Sequence, residues 1–457
     1  MLISGDEMRT ATGGSWHGAV PDAISGIATD TRNFTSDQAF LALRGPNFDG
    51  HHFAAAVSDR AVALIGDSQG MRSWSELDNS KLEVNDTLQA LGDIAHAWRL
   101  RLQGTTVVAI TGSYGKTSLR SMLETGFAAL GLKVSATRAN LNNLIGVPQT
   151  LLAVPLDADI AVIECGISES GEMARLAAMV QPDIAILTGI TAAHAEGLGG
   201  LSGVVHEKAL LLDYLNAEGW CGLGEGVLEL LNNNRINTPE QSLTMDGDED
   251  AEAVRWRLSG RELLLKWCGE RASMQLALPA AHWASNIAFA ASLILRYLDR
   301  SGENASLNEV VAALAGWQPP AGRMQSREGT NGALVLDDCY NANPVSMQAA
   351  IDTLRALEGG KCAILGDMGE LGEGAEAAHA SMNLDGVERV WLIGTHMQSL
   401  AARYPAARWY TDTDTALAAL AAESFLSNDT ILVKASRSMA LESVVELLCR
   451  QEVANAL

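Results

Sequence analysis

A short glycine-rich loop between a buried strand and an amphipathic helix is the feature that most restricts the fold of this chain. Residues 105–111, TTVVAIT, form a continuous apolar run, which is typical of a strand buried on both faces of a parallel sheet. The loop GSYGKTS follows at residues 112–118. Apolar residues then recur at three- and four-residue spacing up to Leu130, and Gly131 stands where a helix C-terminal cap belongs. This order predicts an α/β domain with a mainly parallel sheet.

The composition of the loop predicts a site for nucleotide phosphates. The residues that we expect to hold the nucleotide are Gly112, Ser113, Gly115, Lys116, Thr117 and Ser118. Backbone N–H groups of such a loop and the N-terminus of the next helix bind phosphate oxygens, the lysine adds a cation, and the threonine hydroxyl can ligate Mg²⁺. Gly112 lies three positions before Gly115, whereas the first glycine of the general Walker pattern lies five positions before the second. A structural turn is therefore the alternative interpretation.

Strand-like and helix-like segments predict three domains. Residues 1–103 mix short strands with turns and close with a helix from about residue 87, which indicates a small N-terminal α/β domain. Residues 104–321 alternate apolar strands and helices, and a strand pair around Ser259-Gly260 is predicted to extend the edge of that sheet. The segment PPAG at 319–322 cannot continue a helix and is predicted to be a hinge. Alternation restarts from Ala333, so residues 322–457 are predicted to form a second open α/β sheet.

The charge and the cysteines restrict the partners and the compartment. The 457 residues carry 32 Lys and Arg against 55 Asp and Glu, a net charge of −23, which repels nucleic acid and anionic bilayers. The six cysteines form no C-x-x-C pair, which indicates reduced thiols. The N-terminus lacks a signal-peptide pattern and no apolar stretch reaches 18 residues. We therefore expect a cytoplasmic protein that binds neither nucleic acid nor membrane.

The loop TGSYGKTS resembles the nucleotide loop of the Mur ligase family of ATP-dependent amide-forming enzymes. The resemblance implies a central P-loop-type ATPase domain and a C-terminal Rossmann-like ligase domain. It also implies ATP and Mg²⁺ as cofactors, with Thr117 and Glu164 at one metal ion and His194 and Lys208 at a second. In this family the lysine is carbamylated by CO₂, which would turn Lys208 into an oxygen ligand. Taken singly, each residue has another explanation: a solvated charge for Glu164, a packed or surface imidazole for His194, and a helix-face charge for Lys208.

Further motifs extend the resemblance along the chain. The family pattern implies that the nucleotide is also contacted by Asn286, Arg323, Asp338, Tyr340 and Asn341, and that Lys116, His194 and Lys208 take part in catalysis. It implies that the UDP-sugar peptide is bound by Thr31, Arg32, Asp49, His51, Asn140, Asn142 and Asn143. The first-domain motifs are short, and turn chemistry is their alternative explanation. Three family segments depart from the pattern here, at Ala280 with Trp283, at Gly189 and at Ala435.

The segment YNANP at residues 340–344 is similar to that of the family member that adds D-alanyl-D-alanine. The resemblance implies an acid–D-amino-acid ligase, acting as a monomer, that joins D-alanyl-D-alanine to UDP-N-acetylmuramoyl-tripeptide in peptidoglycan precursor synthesis. The alternative within the family is another member, such as the ligase that adds the third amino acid. A nucleotide-dependent kinase or switch and a non-catalytic scaffold are the alternatives outside it. The sequence leaves open whether the third residue of the tripeptide is diaminopimelate or lysine.

Overall fold

The computed structural model describes residues 2–45, 47–192, 195–246 and 253–449, and it contains three successive α/β units. The first has a five-stranded sheet with the order β1-β7-β6-β3-β2, in which only β1 runs antiparallel to its neighbour. Its elements are α1 (Gly5–Thr12), β1 (Ser15–His17), β2 (Ile27–Ala28), β3 (Ala39–Leu41), β4 (Arg44–Gly45), β5 (Phe48–Asp49), β6 (Ala63–Asp67), β7 (Ser80–Val84) and α2 (Thr87–Arg99). Helix α2 begins where the Asp86 side chain accepts a hydrogen bond from Gln89 N.

The second unit has a six-stranded parallel sheet with the order β13-β12-β11-β8-β10-β9. Its elements are β8 (Thr106–Thr111), α3 (Lys116–Ala129), β9 (Val134–Ala136), α4 (Gly146–Ala153), β10 (Ile160–Glu164), α5 (Glu172–Val180), β11 (Ile184–Leu187), α6 (Ala195–Leu198), α7 (Gly200–Asp213), β12 (Trp220–Leu223), α8 (Val227–Asn233) and β13 (Ser242–Thr244). Strand β8 lies between β10 and β11, so the loop that follows it sits over the middle of the sheet. That position is where open α/β sheets bind ligands.

A separate antiparallel sheet completes this unit. It consists of β14 (Arg255–Ser259), β15 (Glu262–Trp267) and β16 (Glu270–Gln275), and it precedes α9 (Ala281–Arg300) and α10 (Leu307–Leu314). The expectation that the strand pair extends the parallel sheet is wrong, because among the described strands none of the three pairs with β8 to β13. The sheet buries Leu263 and Leu265, and the helices α9 and α10 pack against its strands.

The third unit has the strand order β17-β18-β22-β19-β20-β21, in which β17 alone is antiparallel. Its elements are β17 (Gln325–Glu328), β18 (Leu334–Asp338), α11 (Pro344–Arg355), β19 (Gly360–Gly366), α12 (Ala375–Ala380), β20 (Arg389–Ile393), α13 (Met397–Arg403), β21 (Arg408–Tyr410), α14 (Thr413–Leu420), β22 (Asp429–Lys434) and α15 (Glu442–Cys449). The predicted class of fold, several mainly parallel α/β sheets, is confirmed. The domain limits at 103/104 and 321/322 stay predictions.

Apolar packing is continuous between the second and third units. One cluster of buried residues runs from Val108 in β8 through Trp283 in α9 to Leu336 in β18. The segment before the predicted hinge is held by Trp317, whose indole N–H donates to Ser121 Oγ at 2.8 Å. The two sheets are thereby placed with a cleft between them. None of the helices in the described part of the chain is long and apolar enough to cross a membrane.

Candidate active site

The loop after β8 has a backbone conformation that depends on two glycines. Gly112 has a φ of 150° and Gly115, the N-cap of α3, has a φ of 81°. A Cβ added at Gly112 would overlap Thr188 Oγ1 and lie 3.1 Å from the backbone of Gly189. The loop can therefore pass close to the strand end of β11 only because residue 112 has no side chain. Its N–H groups and the first turn of α3 form an anion-binding concavity.

Lys116 folds back over this loop. Its Nζ donates a hydrogen bond to Gly112 O at 2.7 Å. Burial lowers the pKa of Lys116, the carboxylate of Glu164 raises it, and the guanidinium of Arg323 lowers it again. The lysine thus lies beside the loop, between an acidic group from β10 and a cation from the third unit.

Glu164 and Thr117 form an oxygen-rich pair next to the loop. Strands β8 and β10 are parallel neighbours, and their register brings Glu164 beside Ile110, near the loop. Thr117 Oγ1 donates to Glu164 at 3.0 Å, and Asn142 Nδ2 donates to Glu164 Oε1 at 3.0 Å. Glu164 is 2% exposed. A carboxylate and a hydroxyl are oxygen donors that Mg²⁺ prefers, so this pair fits a magnesium ion that takes its other ligands from phosphate and water.

Lys208 lies on α7 and is buried. Burial and the nearby Lys116 lower the pKa of Lys208 well below its usual value, and Glu207 opposes them. The Glu207 carboxylate is itself occupied at the start of α5, where it accepts from the N–H groups of Gly171 and Met173. A buried amine in this setting favours the neutral form. His194 lies outside the described residues.

The opposite wall of the cleft comes from the third unit. Arg323 stacks on the ring of Tyr340, with 4.4 Å from Cζ to the ring centroid. Tyr340 N donates to Gly322 O at 3.1 Å, which ties the hinge to the end of β18. Asp338 Oδ2 lies 2.7 Å from Lys434 Nζ, and Asn341 is exposed at the start of the next segment.

A cavity of about 350 Å³ connects these two walls. It is lined by Ser113 and Gly115 from the loop, by Asn286 from α9, and by Arg323 and Asp338 from the third unit. Trp256 and Phe289 add apolar surface at one side. The walls touch where Asn343 Nδ2 donates to Ser113 O at 3.4 Å. The predicted nucleotide residues that line this cavity are Ser113, Gly115, Ser118, Asn286, Arg323, Asp338 and Asn341, and their ligand contacts stay predictions.

The residues predicted to bind the UDP-sugar peptide have varied surroundings. His51 is buried: its Nδ1 donates to Asp49 at 2.6 Å, and its Nε2 accepts from Asp67 N at 3.2 Å. Arg32 is 86% exposed and pairs with Asp30. Thr31 lies in the same turn.

Three asparagines follow β9. Asn140 is exposed, Asn142 contacts Glu164, and Asn143 accepts from the N–H of Gly146 where α4 begins. His51 and Asn143 thus have clear structural roles, and substrate contacts through all of these groups stay predictions.

Sequence reasoning missed three contributions to the cleft. Lys434 pairs with Asp338, Asn343 joins the two walls, and His282 lines the cavity with an Nδ1 that has no hydrogen-bond partner among the described residues. Burial, and then the charge of Lys434, lowers the pKa of His282 to about 4. Lys434 lies in the segment KAS at 434–436, His282 in the segment AHW at 281–283, and Asn343 in the segment YNANP at 340–344. The spacing of residues in these segments does not indicate which distant group each side chain contacts.

The geometry defines a class of protein: a nucleotide-dependent enzyme whose phosphate loop, on a parallel sheet, faces a second α/β sheet across a cleft. Comparisons with known proteins narrow the class. Residues 110–294 match the Mur ligase middle domain, and residues 322–437 match the domain described as Mur ligase, glutamate ligase domain. The chain belongs to the Mur ligase family, and it is an ATP-dependent amide-forming ligase.

Individual relatives resemble this chain over nearly its full length. The UDP-N-acetylmuramoyl-tripeptide--D-alanyl-D-alanine ligase of Escherichia coli (strain K12) is 32% identical over 444 residues, which cover 93% of this chain and 94% of the relative. The ligase of the same name from Bacillus subtilis (strain 168) is 32% identical over 438 residues, with 93% of each chain covered. A crystal structure of MurF from Acinetobacter baumannii has a TM-score of 0.84 and 26% identity, and covers 97% of this chain and 98% of that one.

Proposed function

We propose that this enzyme joins D-alanyl-D-alanine to UDP-N-acetylmuramoyl-tripeptide with ATP, as a step of peptidoglycan precursor synthesis in the cytoplasm. The observation that carries the proposal is the cleft in which the phosphate loop, with the Thr117–Glu164 pair next to it, faces Arg323 and Asp338. The names of the relatives at 32% identity support the choice of substrates. These names favour the D-alanyl-D-alanine-adding function over that of the ligase that adds the third amino acid.

The reaction has two group transfers. A carboxylate oxygen of the tripeptide attacks the γ-phosphorus of ATP, ADP leaves, and an acyl phosphate forms. The amine of D-alanyl-D-alanine then attacks the acyl carbon, loses a proton, and inorganic phosphate leaves. Both steps depend on positioning and on neutralising phosphoryl charge, so no nucleophile from the protein is needed.

Residues of the cleft supply that positioning and charge. The loop N–H groups would hold the phosphates, and Lys116 and Arg323 would approach the transferring group from opposite walls. Thr117 and Glu164 would hold a magnesium ion, whose chemistry is to neutralise phosphate charge. Asn286, Asp338, Tyr340 and Asn341 are our candidates for contacts with the nucleoside.

We also propose that Lys208 is carbamylated and, with His194, helps to hold a second magnesium ion. A carbamate forms when a neutral amine adds to CO₂ with release of one proton. The lowered pKa of the buried Lys208 favours the neutral amine that this reaction needs. The alternative is that Lys208 stays an amine and acts on phosphate charge directly.

Carboxylate rescue separates the two forms of Lys208. Lys208→Ala should lose nearly all turnover, and acetate or another short carboxylate should restore part of it if a carbamate oxygen is needed. Restoration by short amines, but by no carboxylate, would show that the unmodified amine acts. Full activity of the variant would remove Lys208 from the site.

The proposed function is tested by phosphate release from ATP with each candidate pair of UDP-linked peptide and amine. We expect turnover only when the tripeptide and D-alanyl-D-alanine are both present, with one amide product per phosphate. Turnover with the dipeptide-linked nucleotide and a single amino acid would instead identify the third-residue ligase. A phosphorylated product that no amine consumes would identify a kinase.

The same assay tests the first-domain residues. Arg32→Ala and Asp49→Ala should raise the KM for the UDP-linked peptide while leaving the KM for ATP unchanged, if these residues bind the peptide substrate. Equal effects on both constants would indicate a structural role in the turns.

A further inference from the structure

A buried ion pair lies at the edge of the nucleotide cleft. Asp338 ends β18 and Lys434 ends the adjacent parallel strand β22, and the two residues are register partners. Lys434 Nζ lies 2.7 Å from Asp338 Oδ2 and also donates to Asn341 O at 2.9 Å. Both side chains line the cavity. Lys434 is 2% exposed and its Nζ already has two partners, whereas Asp338 keeps 13% of its side chain exposed, so the carboxylate is the more accessible member of the pair.

Lys434 is the only cation within ion-pair distance of Asp338 among the described residues. Arg323 influences Asp338 at longer range, but its guanidinium stacks on Tyr340. His282 is close to Lys434, and its pKa of about 4 leaves the imidazole neutral at physiological pH. Neither residue can replace Lys434 as the direct partner of this carboxylate.

The energetics indicate why a buried lysine is kept here. Burial raises the pKa of Asp338, and Lys434, by charge and by hydrogen bond, lowers it. A buried ion pair adds little net stability, because the desolvation of both groups offsets their attraction. Its benefit is orientation: the pair fixes one oxygen of Asp338 and leaves the carboxylate in a defined direction at the cavity wall.

We propose that Lys434 is a positioning residue that orients Asp338 to accept hydrogen bonds from the ribose hydroxyls of the nucleotide. This inference rests on the proposed function, in which Asp338 contacts the nucleoside of ATP. Lys434 acts through Asp338, since its own Nζ is buried and already has two partners. By this proposal, Lys434 in the segment KAS helps the enzyme to select ribonucleotides over deoxynucleotides.

The test is the ratio of kcat/KM for ATP to that for 2′-deoxy-ATP and for 3′-deoxy-ATP. A hydrogen bond to a charged group contributes enough to give a ratio of about tenfold or more in the wild-type enzyme for at least one analogue. Asp338→Ala should lower that ratio to about twofold or less. Lys434→Met should lower it to a similar value, and Lys434→Arg should retain a larger share because it keeps a cation beside the carboxylate.

Controls separate positioning from stability. The Nζ of Lys361, on the neighbouring strand β19, donates to Gly359 O and has no other side-chain hydrogen bond among the described residues, so Lys361→Met should keep the wild-type ratio. If Lys434→Met does not fold, Lys434→Gln provides the neutral replacement, because its amide retains a donor and much of the volume. A double variant with Asp338→Ala should have the same ratio as Asp338→Ala alone.

Each outcome is decisive. A wild-type ratio in a folded, neutral Lys434 variant would overturn the inference while leaving ATP use intact, and so would a wild-type enzyme that accepts both analogues as well as ATP. A wild-type enzyme that turns over no ATP with any candidate substrate would refute the proposed function instead.

Discussion

Replacing Gly112 with alanine tests the physical account of the phosphate loop. The residue has a φ of 150°, a conformation that costs an L-residue roughly 1–3 kcal/mol. Its new Cβ would overlap Thr188 Oγ1, so Thr188 must turn away. That hydroxyl donates its single proton to Tyr114 O, with Thr111 O also within range at 3.3 Å, and losing this shared bond costs roughly 1 kcal/mol. We expect Gly112→Ala to lower the free energy of unfolding by roughly 2–4 kcal/mol.

A matched variant isolates the steric part of this cost. Gly131 has a φ of 92° and nothing within 4 Å of an added Cβ, so Gly131→Ala suffers only the backbone penalty, roughly 1 kcal/mol. Thermal unfolding followed by circular dichroism would compare the two, with a difference of roughly 2–4 °C per kcal/mol for a unit of this size. Fluorescence titration with an ATP analogue would follow nucleotide binding, which Gly112→Ala should weaken and Gly131→Ala should not.

Removing the clashing hydroxyl provides a further check. The double variant Gly112→Ala, Thr188→Ala should be no less stable than Gly112→Ala alone, because the hydrogen bond of Thr188 is already lost in the single variant. Equal stability of Gly112→Ala and Gly131→Ala, together with unchanged nucleotide binding, would refute the reasoning about the close approach of β11.

Three other predictions follow from the site and from the buried thiols. Lys116→Ala should abolish phosphate release from ATP without a measurable change in the melting midpoint, since its one described hydrogen bond is to Gly112 O; near-normal turnover would remove the lysine from the site. An ATP analogue and both substrates together should lower the radius of gyration measured by small-angle scattering, because the predicted hinge at 319–322 lets bound ligands bring the two walls of the cleft together. An unchanged radius of gyration would argue against closure. Iodoacetamide at about pH 8 should label the exposed Cys268 first and leave Cys165 unlabelled, because burial raises the pKa of Cys165 to about 12. Peptide mass spectrometry would measure the labelling, and reaction of Cys165 in the folded protein would contradict the prediction.

Local patterns were enough to predict much of the fold. The apolar run before the loop is strand β8, and the spacing after it is helix α3, with Gly131 in the left-handed conformation just past its end. The alternation predicted to restart from Ala333 does so with strand β18, which begins at Leu334. These elements were predictable because their signals, periodicity and a cap, lie within a few residues of one another. The strand pair around Ser259-Gly260 was predicted, but it belongs to a separate three-stranded antiparallel sheet and not to the edge of the parallel sheet.

Contacts between residues that are distant in the sequence explain what the sequence-based predictions missed at the site. Asp49 and His51 were predicted from the sequence to contact the UDP-sugar peptide, and the structure places the His51 ring between Asp67, on β6, and Trp74. The partner of Asp338 is almost a hundred residues away, and only the parallel pairing of β18 with β22 brings Lys434 beside it. The local spacing of residues predicts neither the burial of His51 nor the pairing of Lys434 with Asp338.

The sequence by itself determined that this chain contains a phosphate loop, the residue types around it and the alternation that builds parallel sheets, because those properties depend on neighbours along the chain. The tertiary structure alone decided which of these groups meet: Glu164 with Thr117, Asn343 with Ser113, and Lys434 with Asp338. The physical reason is that strand order and register, which are set by packing over the whole sheet, place the ends of distant strands at one edge.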